Sequence, residues 1–209
     1  MRVKTRHTPA FGVARLVLAP GEAVQAEVAA MVATSYGVQI ESARGRGRAA
    51  TRPAMFTAPA EGGWIDVAPA LPGEVHALEL DGTLGWCVAR GGWLAVTSTL
   101  RSDPGWAGFH ALFGVEHGFL EHVSGVGTVV LGCCGALDVV TLEPGEAITV
   151  EPAHLVAYTE STQCRLRAVS QSAPQSMRTG NGLMFDFAGP GRLLIQTRTA
   201  RTMAAALAR

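Results

Sequence analysis

The sequence predicts an all-β protein. Twenty-five glycines and eleven prolines among the 209 residues separate short apolar runs of strand length. The triplet Pro-Gly-Glu occurs three times, and each copy precedes a run that fits a strand. Apolar residues at helical spacing are scarce. Short strands joined by repeated turns therefore favour a wound β structure.

Each predicted strand is an apolar or alternating run that ends at a turn residue. In chain order, these strands cover residues 13–18, 75–80, 93–97, 128–131, 147–150, 154–158, 183–187 and 192–196. Two short helical segments are expected, at residues 105–113 and in the alanine-rich tail at 202–209.

The Pro-Gly-Glu triplets indicate an internal repeat, because a second glutamate follows the first by five residues in every copy. In a type II turn, proline presets φ and glycine takes the positive φ, so each copy is expected to turn the chain into a strand. The first and third copies also agree in flanking residues. Repetition of this turn and strand supports a wound β structure. The repeat residues are Pro20, Gly21, Glu22, Glu27, Pro72, Gly73, Glu74, Glu79, Pro144, Gly145, Glu146 and Glu151.

Charge and hydropathy disfavour several classes of function. Seventeen basic residues balance seventeen acidic ones, so the chain lacks the basic field of a typical nucleic-acid-binding protein. The longest uncharged stretch, residues 123–137, is too short to span a bilayer. Residues 1–9 do not resemble a secretory signal, and the four cysteines lack CxxC spacing. A cytoplasmic protein with reduced thiols is expected.

One segment gathers possible metal ligands within thirteen residues. Zinc and related metals need three or four converging donors. Here the histidines are seven and five residues apart, without the HxH pair that is usual in metal-binding β-helix enzymes. Surface or loop positions are favoured over a metal site. The weak candidates are His110, Glu116, His117, Glu121 and His122.

A second candidate is the basic run formed by Arg44, Arg46, Arg48 and Arg52. Interleaved with glycines, these arginines could contact phosphates of RNA or of an anionic surface. No aromatic residue is interleaved for base stacking, which favours a solvated hairpin tip.

Several segments together resemble the altered-inheritance-of-mitochondria family number twenty-four, the mitochondrial biogenesis proteins. They are Glu27 to Met31, the central Pro72-Gly73-Glu74 with Gly92 to Ala95, residues 125–131, residues 142–157 and the closing Gly189 to Arg198. The resemblance implies a double-stranded β-helix present in duplicate, like that of the tryptophan-RNA-binding attenuator protein. It therefore predicts one domain over residues 1–209, made of two β halves at about 1–105 and 106–209. It also implies assembly into homo-oligomers, with a trimer favoured. It supplies no catalytic motif and no cofactor.

The leading interpretation is a non-catalytic oligomeric β scaffold with a binding or assembly role, with peripheral membrane contact as an option. One alternative is a cupin-like metal-dependent enzyme using His110, His117 and His122. The other is RNA or anionic-surface binding through Arg44 to Arg52.

Overall fold

The computed structural model describes residues 1–42, 53–109, 119–168 and 182–207. Within these ranges it is almost entirely β structure, as predicted, with a short C-terminal helix α1 (Ala200–Leu207). Residues 107–109 are helical at the start of the other predicted helical segment, and the rest of that segment lies outside the described ranges. The strands are β1 (Arg2–Arg6), β2 (Val13–Leu18), β3 (Ala23–Glu27), β4 (Met31–Thr34), β5 (Gln39–Ser42), β6 (Pro53–Thr57), β7 (Gly63–Val67), β8 (Val75–Asp81), β9 (Trp86–Ala89), β10 (Trp93–Thr97), β11 (Arg101–Asp103), β12 (Leu120–Ser124), β13 (Val126–Gly132), β14 (Leu137–Leu142), β15 (Ala147–Val150), β16 (Leu155–Thr159), β17 (Gln163–Ala168), β18 (Leu183–Ala188) and β19 (Gly191–Gln196).

After β1, the described strands fall into three sets of six with one pairing scheme: β2–β7, β8–β13 and β14–β19. In each set, the first and third strands pair with the sixth, and the second and fourth pair with the fifth. The first strands begin at Val13, Val75 and Leu137, a constant spacing of 62 residues. Strand pairs of the second set cross residue 105, and the division into two halves stays a prediction.

Neighbouring sets are joined strand to strand. The second strand of the first set, β3, pairs with β10, and the second strand of the second set, β9, pairs with β16. Four antiparallel sheets result: sheet I (β1-β2-β7-β4), sheet II (β5-β6-β3-β10-β13-β8), sheet III (β11-β12-β9-β16-β19-β14) and sheet IV (β15-β18-β17).

The four sheets are stacked as layers. One apolar cluster contains residues of sheets I and II, a second joins II and III, and a third joins III and IV. Sheets II and III are therefore buried on both faces, which explains continuous apolar runs such as β10. A strand with one exposed face would instead alternate apolar and polar residues. The more specific description, a duplicated double-stranded β-helix like the attenuator protein, stays a prediction.

Two of the Pro-Gly-Glu triplets form the same turn. Gly21 and Gly145 both have positive φ, at 69° and 88°, between the first and second strands of their sets. The glutamate of each turn closes it, because Glu22 accepts a hydrogen bond from the Ala19 amide, as Glu146 does from the Glu143 amide, both at 2.8 Å.

The remaining triplet, the second in chain order at residues 72–74, lies at a different place in its set. It precedes the first strand of its set, and Gly73 forms bridges to Phe11 and Gly135. At Gly73 a Cβ would overlap the Cys133 carbonyl oxygen, so close backbone approach explains this glycine better than a turn. The turn that corresponds to the other two triplets contains Gly82, at φ 87°.

Candidate functional site

The main concave feature of the described structure is a cavity of about 1010 Å³. The connections between the second and third strands of all three sets contribute to its wall, through residues 27, 29 and 30, residues 89–92 and residues 151–153. Most of the remaining wall comes from the ends of sixth strands and the segments that follow them, and from the start of α1. We call this feature the central cavity.

Small residues dominate the wall of the central cavity. Alanine and glycine bring the backbone close to the empty space, as at Ala29, Gly91, Gly132 and Ala153. Larger apolar side chains, such as Leu94 and Leu183, complete it. A concave, mainly apolar space of this size is typical of a binding site for a small molecule.

Few charged groups face the central cavity. The Glu27 carboxyl is half-buried, and burial raises its pKa, with a further contribution from the negative charge of Glu121. Arg90 donates to the carbonyl oxygens of Leu120 at 3.3 Å and Pro104 at 3.4 Å, which orients its guanidinium along the rim of sheet III. Glu151 accepts a hydrogen bond from the Ala153 amide at 3.2 Å.

Two cysteines contribute to the cavity wall, but the buried one is a poor nucleophile. Burial raises the pKa of Cys133 to about 11, and its Sγ lies 3.5 Å from the carbonyl oxygens of Glu74 and Gly135. Burial likewise raises the pKa of the neighbouring Cys134, which is half-buried. All four cysteines are free thiols, including Cys87 and Cys164, whose pKa burial raises to about 12.

Only Glu121 and His122 of the predicted metal-ligand segment lie in the described ranges, since His110, Glu116 and His117 fall outside them. As neighbours on β12, the two side chains point to opposite faces. Glu121 accepts hydrogen bonds from Trp93 Nε1, at 2.6 Å, and from the Ser102 hydroxyl. Among the described residues, no three histidine, cysteine or acidic side chains form a group that could hold a metal ion.

His122 is instead part of a packed group that sequence reasoning missed. Its Nε2 lies 2.6 Å from the Glu160 carboxylate, and its ring stacks on Trp106 with centroids 4.4 Å apart. Glu160 also accepts a hydrogen bond from the Gly85 amide, at 2.8 Å. That backbone bond is the main cause of the lowered pKa of Glu160, with His122 contributing further. His122 and Glu160 are 38 positions apart in the sequence, so no short motif could reveal the pair.

The other predicted site residues are distributed as follows. The arginine run Arg44, Arg46, Arg48 and Arg52 lies outside the described residues. Of the repeat glutamates, Glu27 and Glu151 contribute to the cavity wall, whereas Glu79 lies within β8 and accepts a hydrogen bond from Thr128 Oγ1 at 2.8 Å.

The fold and this geometry define a layered all-β protein with a central apolar cavity. The Mitochondrial biogenesis AIM24 family model matches residues 3–198, so the chain belongs to that family. An uncharacterized protein of Streptococcus pyogenes serotype M6 is 30% identical over 153 residues, which cover 70% of this chain and 59% of that protein. The chain therefore matches under two thirds of that relative's length.

A crystal structure of a Streptococcus pyogenes protein shares the fold, with a TM-score of 0.77 at 22% identity. The likeness covers 100% of this chain and 98% of that one. In the described part of this chain, no helix combines the length and apolar character needed to cross a membrane.

Proposed function

We propose that this protein is a non-catalytic β scaffold that acts by binding, and that the central cavity holds its ligand. The observation that carries the proposal is the central cavity itself, about 1010 Å³ in volume and lined mainly by alanine, glycine and leucine. Pockets of this size and character usually enclose an apolar small molecule or an acyl chain.

Three of the ionisable groups around the cavity favour binding over catalysis. Arg90 and Glu151 are occupied by hydrogen bonds with backbone groups, and the buried Cys133 thiol has a raised pKa. A nucleophile needs the opposite environment, one that lowers the pKa and places a base nearby. The ligand chemistry is therefore apolar contact with a small number of polar interactions at the rim.

The test is binding of the neutral dye N-phenylnaphthylamine, followed by its fluorescence. Saturable binding is expected for the wild type, and Ala153→Trp, which fills the cavity, should weaken it at least about tenfold. Ala147→Trp is the matched control, because Ala147 is also an exposed alanine but does not line the cavity. Equal affinities for Ala153→Trp and the wild type would refute the cavity as the site.

The family resemblance supports two further parts of the proposal, a homo-oligomer with a trimer favoured and peripheral contact with membranes, and the cysteine spacing supports a cytoplasmic location. Native mass spectrometry of untagged protein tests the first part, since one spectrum gives the subunit number and any bound molecule. A monomer at all concentrations would refute it.

Flotation with phosphatidylglycerol vesicles tests peripheral membrane contact, and protein that stays at the bottom of the gradient would refute that contact. A stoichiometric metal that is lost in His117→Ala would instead support the metal-dependent enzyme.

A further inference from the structure

At each end of the stack of sheets, one edge strand lacks the pairing partner that its counterparts have. Inside the chain, the second strand of one set pairs with the third strand of the next, as in β3 with β10 and β9 with β16. By the same rule, β15 lacks a following third strand and β4 lacks a preceding second strand. Among the described residues, β15 pairs with β18 alone and β4 with β7 alone.

These two free edges are complementary to each other. If β15 of one copy met β4 of another as β3 meets β10, sheets IV and I would merge into one continuous sheet. Unpaired edges of this kind are ready sites for strand addition. A second copy of this chain is the partner that fits, because it carries the pairing strand of the missing type.

One position on the outer face of sheet I, Val32, carries the apolar residue that such a joint requires. Val32 corresponds to Leu94 and Val156, since each is the second residue of its third strand. Leu94 and Val156 are 5% and 3% exposed and pack against the preceding sheet, whereas Val32 is 57% exposed. Val32 thus lies where the neighbouring sets place buried core residues.

One position on this face breaks the pattern. Asp66 pairs with Ala33 across β7 and β4, and the residues in the same register of the other sets are Val130 and Leu194. Both of these are fully buried, in the contacts between sheets I and II and between II and III. An aspartate, itself buried, therefore occupies the position that an apolar residue holds in the other two sets.

Asp66 is held in place by two arginines. It accepts hydrogen bonds from Arg15 Nε and Nη2, both at 2.8 Å, and from Arg6 Nη1 and Nη2, at 3.2 and 2.7 Å. The Arg15 guanidinium also lies over the Trp64 ring, 3.9 Å from its centroid. Covering this group with another sheet would strip water from two guanidinium groups that are now more than a third exposed, which is unfavourable.

We infer that the Arg6–Asp66–Arg15 group caps the first sheet of the stack and prevents a second copy from adding head to tail through β15 and β4. Terminal units with a polar outer face serve the same purpose in repeat proteins. The trimer proposed above would form through other surfaces, so the two proposals fail or succeed separately.

The experiment compares variants with the wild-type mass by analytical ultracentrifugation over a range of concentrations. Val130 and Ala77 of the second set pair as Asp66 and Arg15 do in the first. The double variant Asp66→Val, Arg15→Ala copies these two residue types and should produce species at least twice the wild-type mass. Asp66→Asn keeps the group polar and should keep the wild-type mass. Adding Val32→Glu to the double variant should abolish the new association, which shows that it uses the β4 side of sheet I.

Folding of each variant is checked by near-UV circular dichroism. A folded double variant with the wild-type mass at all concentrations would overturn the inference. If the double variant is unfolded, Asp66→Leu alone, which copies Leu194, serves in its place under the same criterion. If that variant is also unfolded, the Arg6–Asp66–Arg15 group is required for folding, and the inference that it acts as a cap is overturned.

Discussion

His122 and Glu160 link the second set of strands to the third. The Nε2 atom of His122, on β12, lies 2.6 Å from the carboxylate of Glu160, which follows β16. His122 is 7% exposed and its ring stacks on Trp106. A hydrogen bond to an ionised carboxylate is stronger than one between two neutral groups.

Replacing Glu160 by glutamine should lower the free energy of unfolding by about 1–3 kcal/mol, because the carboxylate accepts hydrogen bonds from both His122 and the Gly85 amide. Urea denaturation at neutral pH measures this change. Glu61→Gln, at an exposed turn, is the control and should leave stability almost unchanged. Equal stability of Glu160→Gln and the wild type would refute a stabilising role.

The same pair should influence acid stability. Its contacts lower the pKa of Glu160, so the stabilisation is present above the ordinary glutamate pKa of about 4.3 and is lost as pH falls through the lower folded value. The stability difference between wild type and Glu160→Gln should therefore shrink below about pH 4. Urea titrations at a series of acidic pH values test this, and a difference that grows on acidification would contradict it.

Gly85 is expected to tolerate no side chain. A Cβ at this position would overlap Nε2 of His122 and lie 2.7 Å from a Glu160 carboxylate oxygen. Gly85→Ala should therefore destabilise the fold by about 1–3 kcal/mol, as overpacking usually does. Gly105→Ala is the matched control, since its nearest neighbour would be 3.6 Å away. Thermal unfolding compares the two, and similar midpoints would contradict the expected clash.

The buried thiols should be unreactive in the native state. Burial raises the pKa of Cys87 to about 12 and that of Cys133 to about 11, so little thiolate exists at neutral pH. Mass spectrometry after brief iodoacetamide treatment should find both residues unmodified in folded protein and alkylated in urea. Rapid alkylation of Cys133 without denaturant would argue for an accessible, activated thiol in the cavity wall.

Phe56 anchors the contact between sheets I and II. It is fully buried in the first apolar cluster, and Phe56→Ala should cost about 3–5 kcal/mol of unfolding free energy. Phe11 is 68% exposed, and Phe11→Ala should change stability by no more than about 0.5 kcal/mol. Chemical denaturation of both variants makes the comparison. Equal losses would mean that the first cluster contributes little to the fold.

Sequence reasoning succeeded where the signal is local and weakened where it is not. Proline followed by glycine predicts its own turn, and the turns at Gly21 and Gly145 have the expected positive φ. The identical triplet at 72–74 has another role, because the nearby backbone at Cys133 and Gly135 decides its geometry. Glu121 and His122 are neighbours in the sequence, and their short spacing made them candidates for one metal site. Side chains alternate along β12, so the two point to opposite faces of the sheet.

Composition, turn residues and apolar runs by themselves determined that this chain is all-β, with short strands and a C-terminal helix, because those preferences act over a few residues. Only the tertiary structure decided which strands pair between sets, since β3 meets β10 across some seventy residues of chain. It also assembled the central cavity. It placed Asp66 on the outer face of sheet I, whereas the corresponding residues of the other sets, Val130 and Leu194, lie between two sheets. These arrangements depend on which faces are buried together, and no short segment carries that information.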